Sequence, residues 1–164
     1  MNALPEAAVV PSLTPKLATL YRYWLARHRP GGGLPRRCDI DPIALARLAP
    51  ELMPHLWLVD VLRDPYRFRY RLIGGALVDA GAPGRVGELV HGVSGGRASS
   101  LHNNLIRVCE ERSWNHRGGP PTLPHARHVE HVERLSLPLV DEAGEVVMIL
   151  SASVYRWQEG WGAA

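Results

Sequence analysis

From residue 55 the chain reads HLWLVDVLRDPYRFRYRLI (55–73), and the fold follows from how that stretch changes period. Its first part, HLWLVDVL, is a continuous apolar run of the kind that forms a strand covered on both faces or lying centrally in a sheet. Asp64 and Pro65 mark a turn. The second part alternates, with Tyr66, Phe68, Tyr70 and Leu72 on one face and Arg67, Arg69 and Arg71 on the other. Two such runs around a short turn predict an antiparallel hairpin. The arginine face has two readings. Three guanidiniums offer many donors to an anion or a nucleic acid, but an alternating strand needs a solvated face in any case, and Asp60 on the preceding strand is placed to neutralise it. The second reading is the simpler, and no nucleic-acid partner is expected.

Upstream of the hairpin, Thr14 and Pro15 supply an N-cap and an N1 proline. Leu17, Leu20, Tyr21, Trp24, Leu25 and His28 then follow at helical spacing, before Pro30 and Gly31 to Gly33 end the pattern. Residues 1–13 read as a loose arm. Asp41 is placed to cap a short helix that starts at Pro42 and must finish by about Ala49, because Pro50 follows. Downstream, Gly74 and Gly75 close the second strand, and residues 76–96 carry Gly and Pro too often for more than short helical turns and loops. From about Arg97 a helix resumes, RASSLHNNLIRVCEER, with Leu101, Leu105 and Val108 on one stripe and His102, Ile106 and Cys109 beside it. A loop around residues 118–121, an extended run HARHVEHVERLSLPLV (125–140), a turn at DEAGE and a final run VVMILSASVYRW (146–157) complete the chain. The expected order is helix, short helix, two strands, irregular turns, helix and three strands, as one domain over 14–157 with a tail at 158–164.

The composition is that of one globular domain: 164 residues, 46% apolar and 21% charged, with a mean hydropathy of −0.12. These values exclude disorder and a solenoid, and the length is short for a large enzyme. No apolar stretch approaches the roughly 18 to 20 residues of a membrane helix, and the first residues lack the basic and apolar regions of a signal peptide. A soluble cytoplasmic protein with no membrane partner is the expectation. Cys38 and Cys109 form neither a disulfide framework nor a C-x-x-C pair. The formal charge of +3 comes from arginines spread along the chain, with Lys16 the single lysine, and so gives little support to nucleic-acid binding.

Several strings invite a chemical reading. GVSGG at 92–96 has the form G-x-S-x-G, with Ser94 in the nucleophile position of a hydrolase, but no buried strand precedes it and no triad follows. The simpler reading is a flexible loop, and the chain is not expected to be an enzyme. Among the eight histidines, HARHVEH at 125–131 is the densest cluster. Along a strand His128 and His131 point to opposite faces, while His125 and His131 lie about 20 Å apart, so no metal is expected there. His131 with Glu133, or His128 with Glu130, meet on one face but give only two ligands. His102 and Cys109 are separated by about 10.5 Å along their helix and cannot share an ion. His102 or His91 could serve as an axial haem ligand, although a histidine bordering an apolar stripe is more simply a partly buried one with a hydrogen-bond partner. Cys109 reads as a core thiol. Gly81, Gly84 and Gly87 fit neither phosphate-binding glycine pattern.

Taken together, LYRYWLARHRPGGGLPRRCDIDP (20–42), the HLWLVDV strand, FRYRLIGGAL, the G-x-x-G turn at 84–87 and RLSLPL (134–139) resemble the single-domain PAS-like proteins of alphaproteobacteria. The resemblance spans about residues 15–156. It implies an α+β PAS-like fold: a five-stranded antiparallel sheet with the helices of residues 75–112 packed on one face and an N-terminal helical extension. Such domains are non-enzymatic sensory and regulatory modules that bind a small molecule between sheet and helices, or dimerise and dock a signalling protein. No flavin-attaching cysteine motif is present, and where the family pattern reads Gly-Thr this chain has Gly74 and Gly75.

If the alternating strand faces inward, a pocket is expected from Phe68, Tyr70 and Leu72 on the sheet, Leu101, His102, Leu105 and Cys109 on the helix, and Met148 and Leu150 on the last strand. The competing expectation is a ligand-free homodimer built on the stripe of Leu17, Leu20, Tyr21, Trp24 and Leu25, unless that stripe packs on the protein's own sheet.

Overall fold

In the computed structural model, residues 12–81, 84–90, 93–94, 97–121 and 128–161 are described. Thr14 precedes helix α1 (Pro15–Leu25), which has proline in its first turn as expected. The helix stops short of His28, where the chain turns back and pairs Arg29 with Gly33. A 3-10 turn (Arg37–Asp39) leads to α2 (Pro42–Leu48), and the Asp41 carboxylate accepts from the amides of Ile43 and Ala44 at 2.9 and 3.2 Å. A second 3-10 turn (Pro50–His55) delivers the chain to strand β1 (Leu56–Leu62), whose hairpin partner is β2 (Arg67–Ile73).

The middle of the chain holds α3 (Gly75–Asp79), the two-residue strands β3 (Val93–Ser94) and β4 (Arg97–Ala98), and α4 (Ser100–Glu111). The expected start of the long helix at Arg97 is corrected to Ser100. Arg97 and Ala98 pair with β3, and the Ser99 hydroxyl caps the helix by accepting from the His102 amide at 3.1 Å. Strands β5 (Asn115–Gly119), β6 (Val129–Val140) and β7 (Val146–Trp157) follow. The loop expected around 118–121 is partly strand, since Gly118 and Gly119 pair with Glu133 and Val132.

The main sheet has five strands in the order β2-β1-β7-β6-β5, every neighbouring pair antiparallel. This is the expected α+β architecture with a five-stranded antiparallel sheet. Helices α3 and α4 pack on one face, and the N-terminal extension covers the other, so the sheet separates two apolar layers. One contains Leu17, Leu20, Trp24, Leu45 and Leu52 against Leu135, Leu137, Leu139 and Leu150. The other contains Leu77, Leu101, Leu105 and Cys109 against Trp57, Val59, Phe68, Tyr70 and Ile149. Coverage on both faces explains the continuous apolar run of β1 and the almost unbroken burial of β6.

Candidate functional site

Strand register decides which expected pocket residues meet. Val61 lies opposite Phe68 and Val59 opposite Tyr70, and these residues belong to the layer beneath α4. The register then shifts: Leu58 lies opposite Leu72, which leaves Arg71 as the extra residue of a bulge. Because side chains alternate with period two, one extra residue sends everything beyond it to the other face. Leu72 therefore faces α2, with 42% of its surface exposed. Met148 and Leu150 lie opposite Asp60 and Leu58, and they too belong to the α1–α2 layer. The expectation that these three line the α4 pocket is corrected. Leu72 and Leu150 instead line a small apolar pocket of about 70 Å³ under α2, with Leu45, Leu56 and Leu58.

The other six, Phe68, Tyr70, Leu101, His102, Leu105 and Cys109, are brought together beneath α4. The His102 ring meets Phe68 edge-on at 5.4 Å. His102 is 9% exposed, its Nδ1 has no hydrogen-bond partner among the described residues, and burial lowers its pKa below the usual 6.5. Burial pushes the Cys109 thiol up to about 12, so it stays protonated and unreactive at neutral pH. Residues 84–90 run along β2, with Gly87 N donating to Tyr70 O at 2.8 Å and Val90 N to Phe68 O at 2.7 Å. Gly84 permits this approach, since a Cβ there would fall inside the Tyr70 ring.

Sequence reasoning missed the polar part of this layer. Arg134 pairs with Ser153 and Ser136 with Ser151 across β6 and β7. The Ser151 hydroxyl donates to that of Ser136 at 2.9 Å, and the Trp57 indole donates to the Ser153 hydroxyl at 3.1 Å, which fixes these side chains on the α4 face. Arg134 is 9% exposed and its Nη2 has no partner among the described residues. Burial and the nearby Arg117 push its pKa down to about 10, opposed by Tyr155 and Tyr70, so it is still a cation at neutral pH. Burial pushes the Tyr155 phenol up to about 12, with Ser153 and Arg134 opposing. The available signal was an arginine alternating with serine inside VEHVERLSLPLV, a strand otherwise too apolar to have a solvated face.

Arg69 and Arg71 bond the buried Asp60 carboxylate at 3.0 and 2.6 Å, which accounts for two of the three stripe arginines. Of the α1 stripe, Leu17, Leu20, Tyr21 and Trp24 are buried against the protein's own sheet, and only Leu25, at 48%, is exposed. That stripe is therefore closed to a dimer partner while α1 stays docked. Ser94 lies in β3, an antiparallel two-residue strand, and not at a strand-to-helix elbow. His91 and His125 lie outside the described residues. Neither expected two-ligand pair in the histidine cluster is free: His128 stacks on Trp161 at 3.5 Å, Glu130 bonds Arg156 at 3.0 Å, and Glu133 bonds His116 at 2.9 Å. Among the described residues no group of three or more His, Cys, Asp or Glu is placed to hold a metal, and no helix is long and apolar enough to cross a membrane.

No protein-family model and no curated protein matches the chain. Among solved structures it is similar to the PAS domain of Bordetella pertussis BvgS, with 20% identity, a TM-score of 0.41, and coverage of 69% of this chain and 85% of that one. The narrower resemblance to the alphaproteobacterial proteins rests on the sequence strings alone.

Proposed function

We propose that the chain is a sensory or regulatory module that binds a small, mostly apolar ligand between its sheet and α4. One observation carries this reading: in a layer built mainly of apolar side chains, two buried polar atoms, His102 Nδ1 and Arg134 Nη2, lack a partner among the described residues. Leaving such a group unsatisfied costs about 1–3 kcal/mol. Small-molecule sites have this composition, an apolar wall with a few polar groups that fix orientation.

The test compares protein as purified with protein unfolded, dialysed and refolded. Mass spectrometry of the denatured supernatant is expected to show a retained compound, and refolded protein is expected to melt at a lower temperature because the bound state is lost. A supernatant with no small molecule, together with identical melting before and after refolding, would overturn the reading.

A further inference from the structure

Among the described residues three formally charged side chains are buried, and two of them have a counter-charge or donors. Asp60 accepts from Arg69 and Arg71. Glu133 accepts from His116 at 2.9 Å and from the Thr14 amide at 3.2 Å. Among the described residues Arg134 has no counter-charge, and its Nη2 has no acceptor. The groups that act on it electrostatically are the phenols of Tyr155 and Tyr70 and a second cation, Arg117, its pairing partner on β5. Like charges at paired positions repel, and a buried charge without a partner is strongly destabilising. Arg117 is itself turned to the Pro120 carbonyl at 3.0 Å.

We propose that Arg134 anchors the carboxylate of a small organic acid whose apolar body lies along Trp57, which is bonded to the Ser153 opposite Arg134, and Tyr70, which meets Trp57 at 6.2 Å. This rests on the ligand-binding reading above and names the ligand class. A guanidinium fork matches a planar carboxylate with two parallel hydrogen bonds. The phenols that act on Arg134, Tyr155 and Tyr70, have raised pKa values and are neutral at neutral pH, and the layer is otherwise mainly apolar, so a monoanion with a hydrocarbon part satisfies both. Inorganic phosphate would leave the apolar wall uncovered.

The test uses full-length refolded protein and thermal melts with millimolar acetate, benzoate and octanoate, their primary amides, and inorganic phosphate. Benzoate or octanoate is expected to raise the melting temperature while the matching amide does not. Arg134→Met is expected to abolish the response yet melt no lower than the ligand-free parent, because it fills the volume without a buried charge. Arg134→Lys keeps the charge without the fork and is expected to weaken the response at least about tenfold in affinity, which also serves if the methionine variant fails to fold. An amide as effective as its acid, stabilisation by phosphate alone, an unchanged response in Arg134→Met, or no response to any carboxylate overturns the proposal. A neutral compound in the denatured supernatant would overturn it too, while leaving the ligand-binding reading intact.

Discussion

His55 and His102 are both held neutral, by different surroundings. The His55 Nδ1 donates to the Ser153 carbonyl at 2.9 Å, and its Nε2 lies 3.4 Å from the Lys16 ammonium, a donor that requires an unprotonated acceptor. Burial lowers its pKa, the Ser153 bond opposes, and Lys16 lowers it further. For His102 the cause is burial alone. Well above the ordinary imidazole value of 6.5 both rings are neutral in the folded and unfolded chains, and their contribution to stability is fully present. As pH falls below that value the unfolded chain takes up protons first, and stability is lost until the depressed folded values are passed. The urea midpoint is therefore expected to be lower near about pH 5.5 than near about pH 7.5, with a shallower fall in His55→Gln and in His102→Gln. A pH dependence unchanged in both variants would contradict the assignment.

Among the elements, α2 depends on its cap. It is a seven-residue helix, too short to be stable alone, and the Asp41 carboxylate satisfies two of its first amides. Asp41→Ala is expected to cost about 1 kcal/mol in urea denaturation, and Asp41→Ser much less. A loss equal in both variants would show that the cap contributes nothing specific. This cap was legible because Asp41-Pro42 opens a helically spaced run that Pro50 must end, which assigns the cap and N1 positions. The face of Leu72 was not. The string YRFRYRLI alternates without interruption, and the bulge at Arg71 arises from pairing with β1, which a single strand's pattern does not encode. For Met148 and Leu150 the same ambiguity acts differently: in VVMILSAS both parities are largely apolar or small because both faces are covered, so either choice fits. Phe68, Tyr70 and the α4 residues came out together because one side of each element is clearly apolar. Arg134 was missed because an arginine in a strand ordinarily marks the solvated face, and only the second helical layer makes that face interior.

Across the whole molecule the N-terminal extension behaves as half of the core. Leu17 and Leu20 are 0% exposed, Tyr21 5% and Trp24 2%, and the Trp24 indole donates to the Pro138 carbonyl at 3.0 Å near the end of β6. Tyr21 meets Trp114 edge-on at 5.6 Å, and the Thr14 amide reaches the Glu133 carboxylate, so the helix is tied to the sheet at several points along its length. Burying one large apolar side chain contributes about 1.5–3 kcal/mol, so four contribute about 6–12. That is comparable to the entire stability of a typical domain, about 5–15 kcal/mol. Deleting residues 1–30 is therefore expected to give a chain that aggregates or loses its near-ultraviolet circular dichroism, since Leu135, Leu137 and Leu139 would be opened to water. A truncated chain that stays monomeric and cooperatively folded would show that the α4 layer suffices for the fold and that α1 is an appendage. Leu25→Glu provides the contrast: this stripe residue is 48% exposed, and its change is expected to shift stability by no more than about 0.5 kcal/mol. Loss of folding on deletion with tolerance at Leu25 would place the function of the stripe inside the molecule, where the sheet it covers also forms the floor of the layer holding Arg134.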